Sequence, residues 1–151
     1  MSLQFLKAGT ADAVSLMCIS KKAFDSDVEV GASSVGGPPG YNSLSFHTKM
    51  ARMNCLYKLV EDYKIVGGAL LFLKDNELNI GRIFVDPEYF RKGYGIFMMQ
   101  QIEESYAEVK VFTLGTPIWN FRTNAFYQKL GYVEVRCDGD FVYYEKRRDI
   151  E

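Results

Sequence analysis

The segment from Val85 to Ile102 constrains the fold more than any other part of the chain. An apolar stretch ending at Val85 and Pro87 is followed by a short loop containing Gly93 and Gly95, and then by an amphipathic run. A helix that begins at such a loop leaves several backbone N–H groups unpaired and carries partial positive charge at that end. Glycine lets an anion approach the backbone with no Cβ in the way. The segment therefore predicts a strand–loop–helix unit whose helix start binds a phosphate.

Two cations, Arg91 and Lys92, lie in the same loop and add mobile positive charge beside the predicted phosphate site. The loop is not a P-loop, because no Lys-Ser or Lys-Thr pair follows the glycines, and it lacks the third glycine of the dinucleotide-binding fingerprint. Taken alone, it also fits an ordinary polar turn between a strand and a helix. A second element further along the chain favours the ligand-binding interpretation.

The second element is a short helix predicted between Asn120 and Gly131. Asn120 is a favourable N-cap, and Gly131 suits the C′ position just beyond the helix end. Tyr127 lies about two helical turns after Asn120, so the two side chains share one face of the helix roughly 10 Å apart. Two polar groups on one stripe can contact two points of an elongated ligand. Each also fits a structural role, as a capping residue and a half-buried tyrosine.

Together the two elements resemble the signatures of the GCN5-related N-acetyltransferase (GNAT) family. The first signature is a strand ending in Val-x-Pro and then Arg/Gln-x-x-Gly-x-Gly/Ala, and the second is Asn before a helix with Phe/Leu-Tyr and then Lys/Arg-x-Gly-Phe. The matching residues are Val85, Pro87, Gly93, Gly95, Asn120, Phe126, Tyr127, Lys129, Gly131 and Tyr132. One position departs from the pattern. Phe90 stands where the family has Arg or Gln, so a side-chain contact to the cofactor is lost there, and Arg91 is the candidate to replace it.

The resemblance implies an α/β fold built on a twisted central sheet of about six or seven strands, mixed but mostly antiparallel, with about four helices. Two parallel strands of this sheet are expected to splay apart and admit acyl-coenzyme A. Residues 1–151 are expected to form a single acetyltransferase domain, and the chain length also favours one domain. The resemblance is compatible with a homodimer.

The implied cofactor is acetyl-CoA, with its diphosphate on the amides of the glycine loop and its pantetheine arm along the strand that ends at Val85. The predicted cofactor-binding residues are Phe84, Val85, Arg91, Lys92, Gly93, Tyr94, Gly95, Ile96, Asn120 and Phe126. The predicted catalytic residue is Tyr127, which would donate a hydrogen bond to the departing thiolate. The implied activity is direct transfer of the acetyl group to an amine of a small molecule, a peptide or a protein.

The acceptor site is less well defined by the sequence. The Gly- and Pro-rich stretch 25–43 is too long for an ordinary connection and is expected to form a substrate wall between the first two helices. The candidate substrate residues are Glu29, Tyr41, His47 and Asn79, and the acidic Asp25, Asp27 and Glu29 hint at a cationic acceptor. In the family's histone acetyltransferases a glutamate on the fourth strand is the base. Register puts Asn79 there, and Asn cannot accept a proton; the candidates for a base are Glu77, Glu29, Asp75 and His47, each of which also fits a hairpin-turn or solvated-loop role. The missing carboxylate at 79 and the departure at Phe90 keep a non-catalytic acyl-CoA-binding regulatory module open as the alternative.

Composition narrows the class of protein. A net charge of −1 provides no basic excess for a general nucleic-acid binder. No stretch approaches the roughly 20 apolar residues of a membrane span, no signal peptide is evident, and a cytoplasmic location is expected. The three scattered cysteines suit reduced thiols. With a single His and no Cys-x-x-Cys pair, no metal site is predicted.

The hydrophobic pattern predicts the remaining elements. Strands are expected at 3–8, 56–62, 65–73, 78–86, 109–114, 132–137 and 140–146, and helices at 10–24, after Tyr41 through Met50, at 93–106 and from 120 to about 130. Thr10 is the expected cap of the first helix. The apolar run Leu71–Leu73 predicts a strand that is buried on both faces. Asp138-Gly139 predicts the turn of a closing hairpin.

Overall fold

The computed structural model describes residues 2–149. Within that range it contains one seven-stranded sheet and four α-helices. The strands are β1 (Leu3–Lys7), β2 (Leu56–Glu61), β3 (Lys64–Lys74), β4 (Glu77–Val85), β5 (Val111–Pro117), β6 (Val133–Cys137) and β7 (Phe141–Arg147). The helices are α1 (Ala13–Asp25), α2 (Leu44–Arg52), α3 (Tyr94–Ser105) and α4 (Phe121–Lys129). The strands lie in the order β1-β2-β3-β4-β5-β7-β6, and β4–β5 is the parallel pair, so the predicted mixed, mostly antiparallel α/β fold is confirmed.

The start of α1 differs from the prediction. Thr10–Asp12 form a 3₁₀ turn, and the α-helix begins only at Ala13. Asp12, rather than Thr10, is the N-cap residue of α1, and its Oδ2 accepts a hydrogen bond from the Gly9 N–H at 2.9 Å instead of capping the first turn. The predicted loop after α1 also begins as a 3₁₀ turn, Ser26–Val30, before the irregular stretch 31–43.

The central feature of the sheet is the way β4 and β5 part. They pair in parallel only where Glu77–Asn79 lie beside Val111–Thr113, and the pairing then ends. On its other edge β4 stays paired with β3 as far as Val85. The β5-facing edge of β4 therefore carries unpaired backbone groups beyond Asn79, as the predicted splay requires.

A β-bulge bends β4 along this free edge. Leu70 of β3 lies opposite Arg82, whereas Leu71 lies opposite Ile80, so Gly81 is the extra residue. A bulge bends its strand and increases its local twist. The bulge follows Asn79, the last β4 residue that pairs with β5, so it begins where the cleft opens.

The core covers both faces of the sheet. On one face, residues of α3 and α4 such as Met99, Ile102 and Tyr127 pack with Leu78 and Phe112. The opposite face is covered by α1 and α2 through a second cluster: Leu16, Ile19, Met50, Leu56, Leu70 and Phe84. The sheet, including the diverging ends of β4 and β5, is thus held between two packed layers of helices.

Candidate active site

A cleft of about 1620 Å³ opens where β4 and β5 diverge. It is bounded by the second half of β4, the end of β5, the first turns of α3 and α4, and residues from the 23–39 segment. Sites for a single small ligand usually enclose roughly 300–1,000 Å³. The cleft is therefore large enough for two ligands that meet inside it.

One end of the cleft is the start of α3. Gly93 is the N-cap residue with φ 78°, and no side chain caps the first turn. The first intrahelical bond is donated by the Phe97 N–H to Gly93 O at 3.0 Å. The N–H groups of Tyr94, Gly95 and Ile96 therefore have no partner within the helix. These unpaired donors and the helix dipole form an anion site.

The two glycines of this loop have different roles. A Cβ on Gly93 would meet no atom within 4 Å, so the left-handed backbone, and not lack of space, favours glycine there. A Cβ on Gly95 would lie 3.3 Å from the Phe126 ring, so Gly95 allows α3 and α4 to approach closely. The sequence assigned both glycines to the phosphate; the space beside Gly93 is open, whereas Gly95 packs against Phe126 and contributes an unpaired amide to the same helix start.

A positively charged side chain from another helix lies on Phe90. The Arg122 guanidinium of α4 lies 4.8 Å from the centre of the Phe90 ring, a cation–π distance. Arg91 is exposed and lines the cleft, whereas Lys92 lies outside the lining and contacts the Tyr89 ring at 5.7 Å. Phe90, in the loop before α3, and Arg122, on α4, thus form a contact within the cleft lining, a pairing between distant residues that the sequence analysis missed.

Tyr127 is buried on α4 and lines the cleft with an exposed fraction of 6%. Its ring packs against Phe126 at 5.2 Å and Tyr132 at 6.0 Å between centroids. Burial raises the pKa of the phenol, so it is neutral and a hydrogen-bond donor at pH 7. No hydrogen bond within residues 2–149 uses its hydroxyl, which leaves that donor for a ligand.

Asn120 is the N-cap of α4, as predicted. Its Oδ1 accepts a hydrogen bond from the Thr123 N–H at 3.0 Å, and the side chain is buried at the cleft wall. No hydrogen bond within residues 2–149 uses the Asn120 amide nitrogen, so its N–H groups remain for a ligand. Of the other predicted cofactor residues, the following also line the cleft: Phe84, Val85, Tyr94, Gly95, Ile96 and Phe126.

The cleft wall between α1 and α2 carries one buried carboxyl group. Asp27 is 9% exposed, and its Oδ1 lies 3.5 Å from Arg122 Nη2. Burial raises the pKa of Asp27 to about 6, although the positive charge of Arg122 opposes the shift. Glu29, on the same 3₁₀ turn, also lines the cleft but is exposed.

The other predicted substrate residues do not line the cleft. The Tyr41 hydroxyl donates to Asp25 Oδ1 at 2.8 Å, and Asp25 also pairs with Lys21. His47 is buried, its Nδ1 lies 2.8 Å from Ser43 O, and burial lowers its pKa. Asn79 donates from Nδ2 to Thr113 Oγ1 at 3.0 Å, next to a smaller cavity. The structure therefore gives these three residues local structural contacts and leaves Glu29 as the one predicted substrate residue at the cleft.

Arg82 connects the irregular stretch 31–43 to β4. Its Nη2 donates to Pro39 O at 2.6 Å, and its guanidinium lies 4.8 Å from the Phe46 ring of α2. This strand residue ties the 31–43 stretch and α2 to the sheet, and no local signal in the sequence predicted it.

Within residues 2–149 no three side chains of the ligating types come together as a possible metal site. The helices of the same range include none with the length and apolar character needed to cross a membrane.

The splayed parallel strands, the uncapped helix start and the buried tyrosine together define an acyl-CoA-dependent acetyltransferase fold. A sequence profile of the Acetyltransferase (GNAT) family matches residues 33–132, and the chain belongs to that family. Its members use acetyl-CoA, so the predicted cofactor and the predicted fold are confirmed at the level of the family. No curated protein sequence matches the chain significantly.

Solved structures show the same fold at low sequence identity. The PaiA N-acetyltransferase from Thermoplasma acidophilum, in complex with coenzyme A, is 18% identical, with coverage of 98% of this chain and 100% of that chain and a TM-score of 0.84. A GNAT-family acetyltransferase from Streptococcus agalactiae is also 18% identical, with coverage of 98% and 96% and a TM-score of 0.83. An acetyltransferase from Thermus thermophilus is 14% identical, with 98% coverage of each chain and a TM-score of 0.80.

Proposed function

We propose that the chain transfers the acetyl group of acetyl-CoA directly to the nitrogen of a primary amine. The observation that carries this proposal is the position of Tyr127, a buried neutral phenol in the cleft that also contains the uncapped start of α3. An anion site and a hydrogen-bond donor in one elongated cleft suit a long phosphorylated cofactor with a reactive group at its far end.

The chain's own backbone can hold that cofactor. When bound, acetyl-CoA supplies the thioester that is cleaved. The amides of Tyr94, Gly95 and Ile96 would hold its diphosphate, with Arg91 and Arg122 adding positive charge. The unpaired edge of β4 from 80 to 85 offers N–H and C=O groups to an extended amide-containing arm. One N–H on this edge would polarise the carbonyl that is attacked.

Tyr127 would act by hydrogen bonding. An ordinary phenol has a pKa about 1.5 units above that of a thiol, and burial raises the pKa of Tyr127 further. Complete proton transfer to sulfur is therefore uphill. The Tyr127 O–H stabilises the negative charge that develops on sulfur, and solvent completes the protonation.

A non-catalytic acyl-CoA-binding module is the second candidate, and one observation favours it. Asn79 occupies the position where the resemblance puts a catalytic glutamate, and its side chain is bonded to Thr113. This candidate predicts that acetyl-CoA stabilises the protein against thermal unfolding while no amine causes thiol release.

The test combines acetyl-CoA binding, measured as the shift in melting temperature, with thiol release across a panel of small amines and peptides. Tyr127→Phe should lower turnover by about 10²-fold while acetyl-CoA binding changes little, because one transition-state hydrogen bond is lost. Tyr132→Phe is the matched control, since that buried tyrosine bonds Glu103 and lies outside the cleft lining. Unchanged turnover in Tyr127→Phe would contradict the assigned role.

A single domain over residues 1–151, a homodimer and a cytoplasmic location stay predictions. Light scattering on purified protein tests the dimer. A peptide or small-molecule amine is the proposed partner, and neither nucleic acid nor membrane is proposed as one. The net charge of −1 is consistent with that choice.

A further inference from the structure

Residues 31–40 form a strap that crosses the opening between β4 and β5. At its first residue, Gly31, a Cβ would lie 2.5 Å from Trp119 O, so the strap contacts the connection that follows β5. Near its other end, Pro39 O accepts a hydrogen bond from Arg82 Nη2 of β4 at 2.6 Å. The strap is thus attached on the sides of both diverging strands, and most of its residues between these two points line the cleft.

Arg82 and the strap lie on the α1/α2 side of the sheet. Arg82 pairs with Leu70 of β3, whose side chain belongs to the α1/α2 core cluster, and its guanidinium lies 4.8 Å from the Phe46 ring of α2. The anion site lies on the opposite side, because α3 and Tyr127 pack in the other cluster. A cofactor whose diphosphate binds at the start of α3 therefore leaves the strap side of the cleft for the second ligand.

The strap has few contacts of its own that could hold it in place. None of residues 31–40 is buried. Its close approach to α2 uses glycine backbone, since a Cβ on Gly40 would overlap the Phe46 ring. Within residues 2–149, the bond from Arg82 to Pro39 O is the one side-chain hydrogen bond that reaches the strap backbone. Loss of this bond would free the strap at its β4 end.

The guanidinium of Arg82 occupies this position at an electrostatic cost. Burial lowers the pKa of Arg82, and no carboxylate among residues 2–149 forms an ion pair with it. Its Nη1 is enclosed and has no hydrogen-bond partner in the same range. A partly buried cation without a counter-charge lowers stability. An apolar side chain would pack on Phe46 without that cost, but it could not donate to Pro39 O.

We infer that Arg82 is a positioning residue for the acceptor amine, an inference that rests on the proposed function. Arg82 holds the strap across the opening, and the strap bounds the side of the cleft where the amine binds. A strap that is already fixed needs no ordering when the amine arrives, which favours binding. Because Arg82 lies on the side opposite the anion site, its loss should weaken binding of the amine and spare that of acetyl-CoA.

The first test separates the two substrates kinetically. The amine used is the member of the test panel that gives the fastest thiol release with wild-type protein. At saturating acetyl-CoA, Arg82→Gln should raise KM for this amine by about tenfold or more, as expected for loss of a hydrogen bond from a charged donor, with a smaller change in kcat. Calorimetry should show acetyl-CoA binding to Arg82→Gln with the wild-type affinity.

Arg148→Gln is the matched control. Like Arg82, Arg148 stacks on a phenyl ring, that of Phe112 at 4.8 Å, and donates to backbone carbonyl groups, including Val109 O at 2.8 Å. It does not line the cleft. Arg148→Gln should therefore lower stability and leave KM for the amine unchanged. Arg82→Lys keeps a charged donor and should recover part of the amine affinity that Arg82→Gln loses.

The second test needs no turnover. Hydrogen exchange followed by mass spectrometry reports directly on how firmly the strap is held. The N–H groups of Tyr41 and Ser43 donate to the strap carbonyls Pro38 O and Gly40 O. These amides should exchange faster in Arg82→Gln than in wild type, whereas the amides of α3 should keep their wild-type rates.

Gly31→Ala disturbs the strap from its other end, because the added Cβ would overlap Trp119 O. It should produce the same selective rise in KM for the amine, and it also serves if Arg82→Gln does not fold. An unchanged KM in Arg82→Gln, an equal rise in Arg148→Gln, an equal loss of acetyl-CoA affinity, or unchanged exchange at Tyr41 and Ser43 would overturn the inference. If wild-type protein releases no thiol with any amine, the proposed function fails instead, and the exchange measurement decides separately whether Arg82 holds the strap.

Discussion

Asn79 and Thr113 are the last residues that β4 and β5 share as a parallel pair, and Asn79 Nδ2 donates to Thr113 Oγ1 at 3.0 Å. Beyond this pair the strands separate and the cleft begins. The side-chain bond therefore ties the two strands together at the vertex of the opening. Asn79 has a structural contact at the position where the resemblance placed a base.

Removal of this bond should affect stability more than chemistry. Asn79→Ala is expected to lower the free energy of unfolding by about 0.5–1 kcal/mol, because the bond is solvent-exposed and only one of many in the sheet. Urea unfolding measures the loss. Thr113→Val removes the same bond from its other end, so the two changes should be less than additive in the double variant. Fully additive losses would show that the two side chains do not interact in solution.

Gly93 should contribute to acetyl-CoA binding as well as to the stability of the left-handed backbone at the start of α3. Gly93→Ala places a Cβ on a left-handed residue and should cost about 1 kcal/mol of stability. Gly139→Ala is the matched control, because Gly139 has φ 95° and its Cβ would also meet no atom within 4 Å. Calorimetry should show weaker acetyl-CoA binding for Gly93→Ala alone. Equal affinities in the two variants would remove the start of α3 from the cofactor site.

Asp27 makes a pH-dependent contribution to stability whose sign follows from its raised pKa. The folded-state pKa is about 6 and the ordinary value is 3.8, so the folded protein binds this proton more tightly than the unfolded chain does. The contribution is complete below pH 4 and is lost as the pH rises through 6. Asp27→Asn should therefore gain stability, relative to wild type, by about 2 kcal/mol between pH 4 and pH 7.5.

Urea unfolding of Asp27→Asn, wild type and a charge-matched control, Glu104→Gln, at those two pH values measures this contribution; Glu104 is exposed on α3. The difference between Asp27→Asn and wild type should change with pH, whereas the Glu104→Gln difference should stay nearly constant. A constant difference for Asp27→Asn would mean that the folded protein does not raise the pKa of this carboxyl group.

Arg122 should lower the pKa of Asp27 from across the cleft. The positive charge of Arg122 lowers the pKa of Asp27 against the effect of burial, so Arg122→Gln should move the Asp27 titration above pH 6. The ¹³C titration of the carboxyl group measures the shift. Arg136→Gln is the control, because Arg136 also stacks on an aromatic ring, that of Tyr143 at 4.0 Å, and does not line the large cleft. A titration in Arg122→Gln that stays at the wild-type midpoint would show that the ion pair does not form in solution.

The local signals in the sequence predicted most of the secondary structure and the cofactor end of the site. The cap at Asn120, the left-handed Gly131 after α4 and the hairpin turn at Gly139 all depend on residues close in sequence, and all are present in the structure. The uncapped start of α3 after Gly93 also follows from a local pattern. Such features are predictable because their physical cause lies within a few residues.

Features that depend on distant contacts were harder to predict. Leu73 belongs to an apolar run that predicted a strand buried on both faces, yet it is 54% exposed, and the buried run of β3 ends at Leu71. His47 looked available as a candidate substrate residue, but it is a buried residue of α2, and its Nδ1 lies 2.8 Å from Ser43 O. The stacking of Arg122 on Phe90 and its ion pair with Asp27 join three separate segments, and no spacing in the sequence indicates them.

A crystal structure with coenzyme A bound tests the central claim most directly. The account predicts the diphosphate on the amides of residues 94–96, the pantetheine arm along the free edge of β4, and the sulfur within hydrogen-bond distance of the Tyr127 hydroxyl. A cofactor bound outside the cleft between β4 and β5, or a Tyr127 hydroxyl directed away from the sulfur, would contradict it.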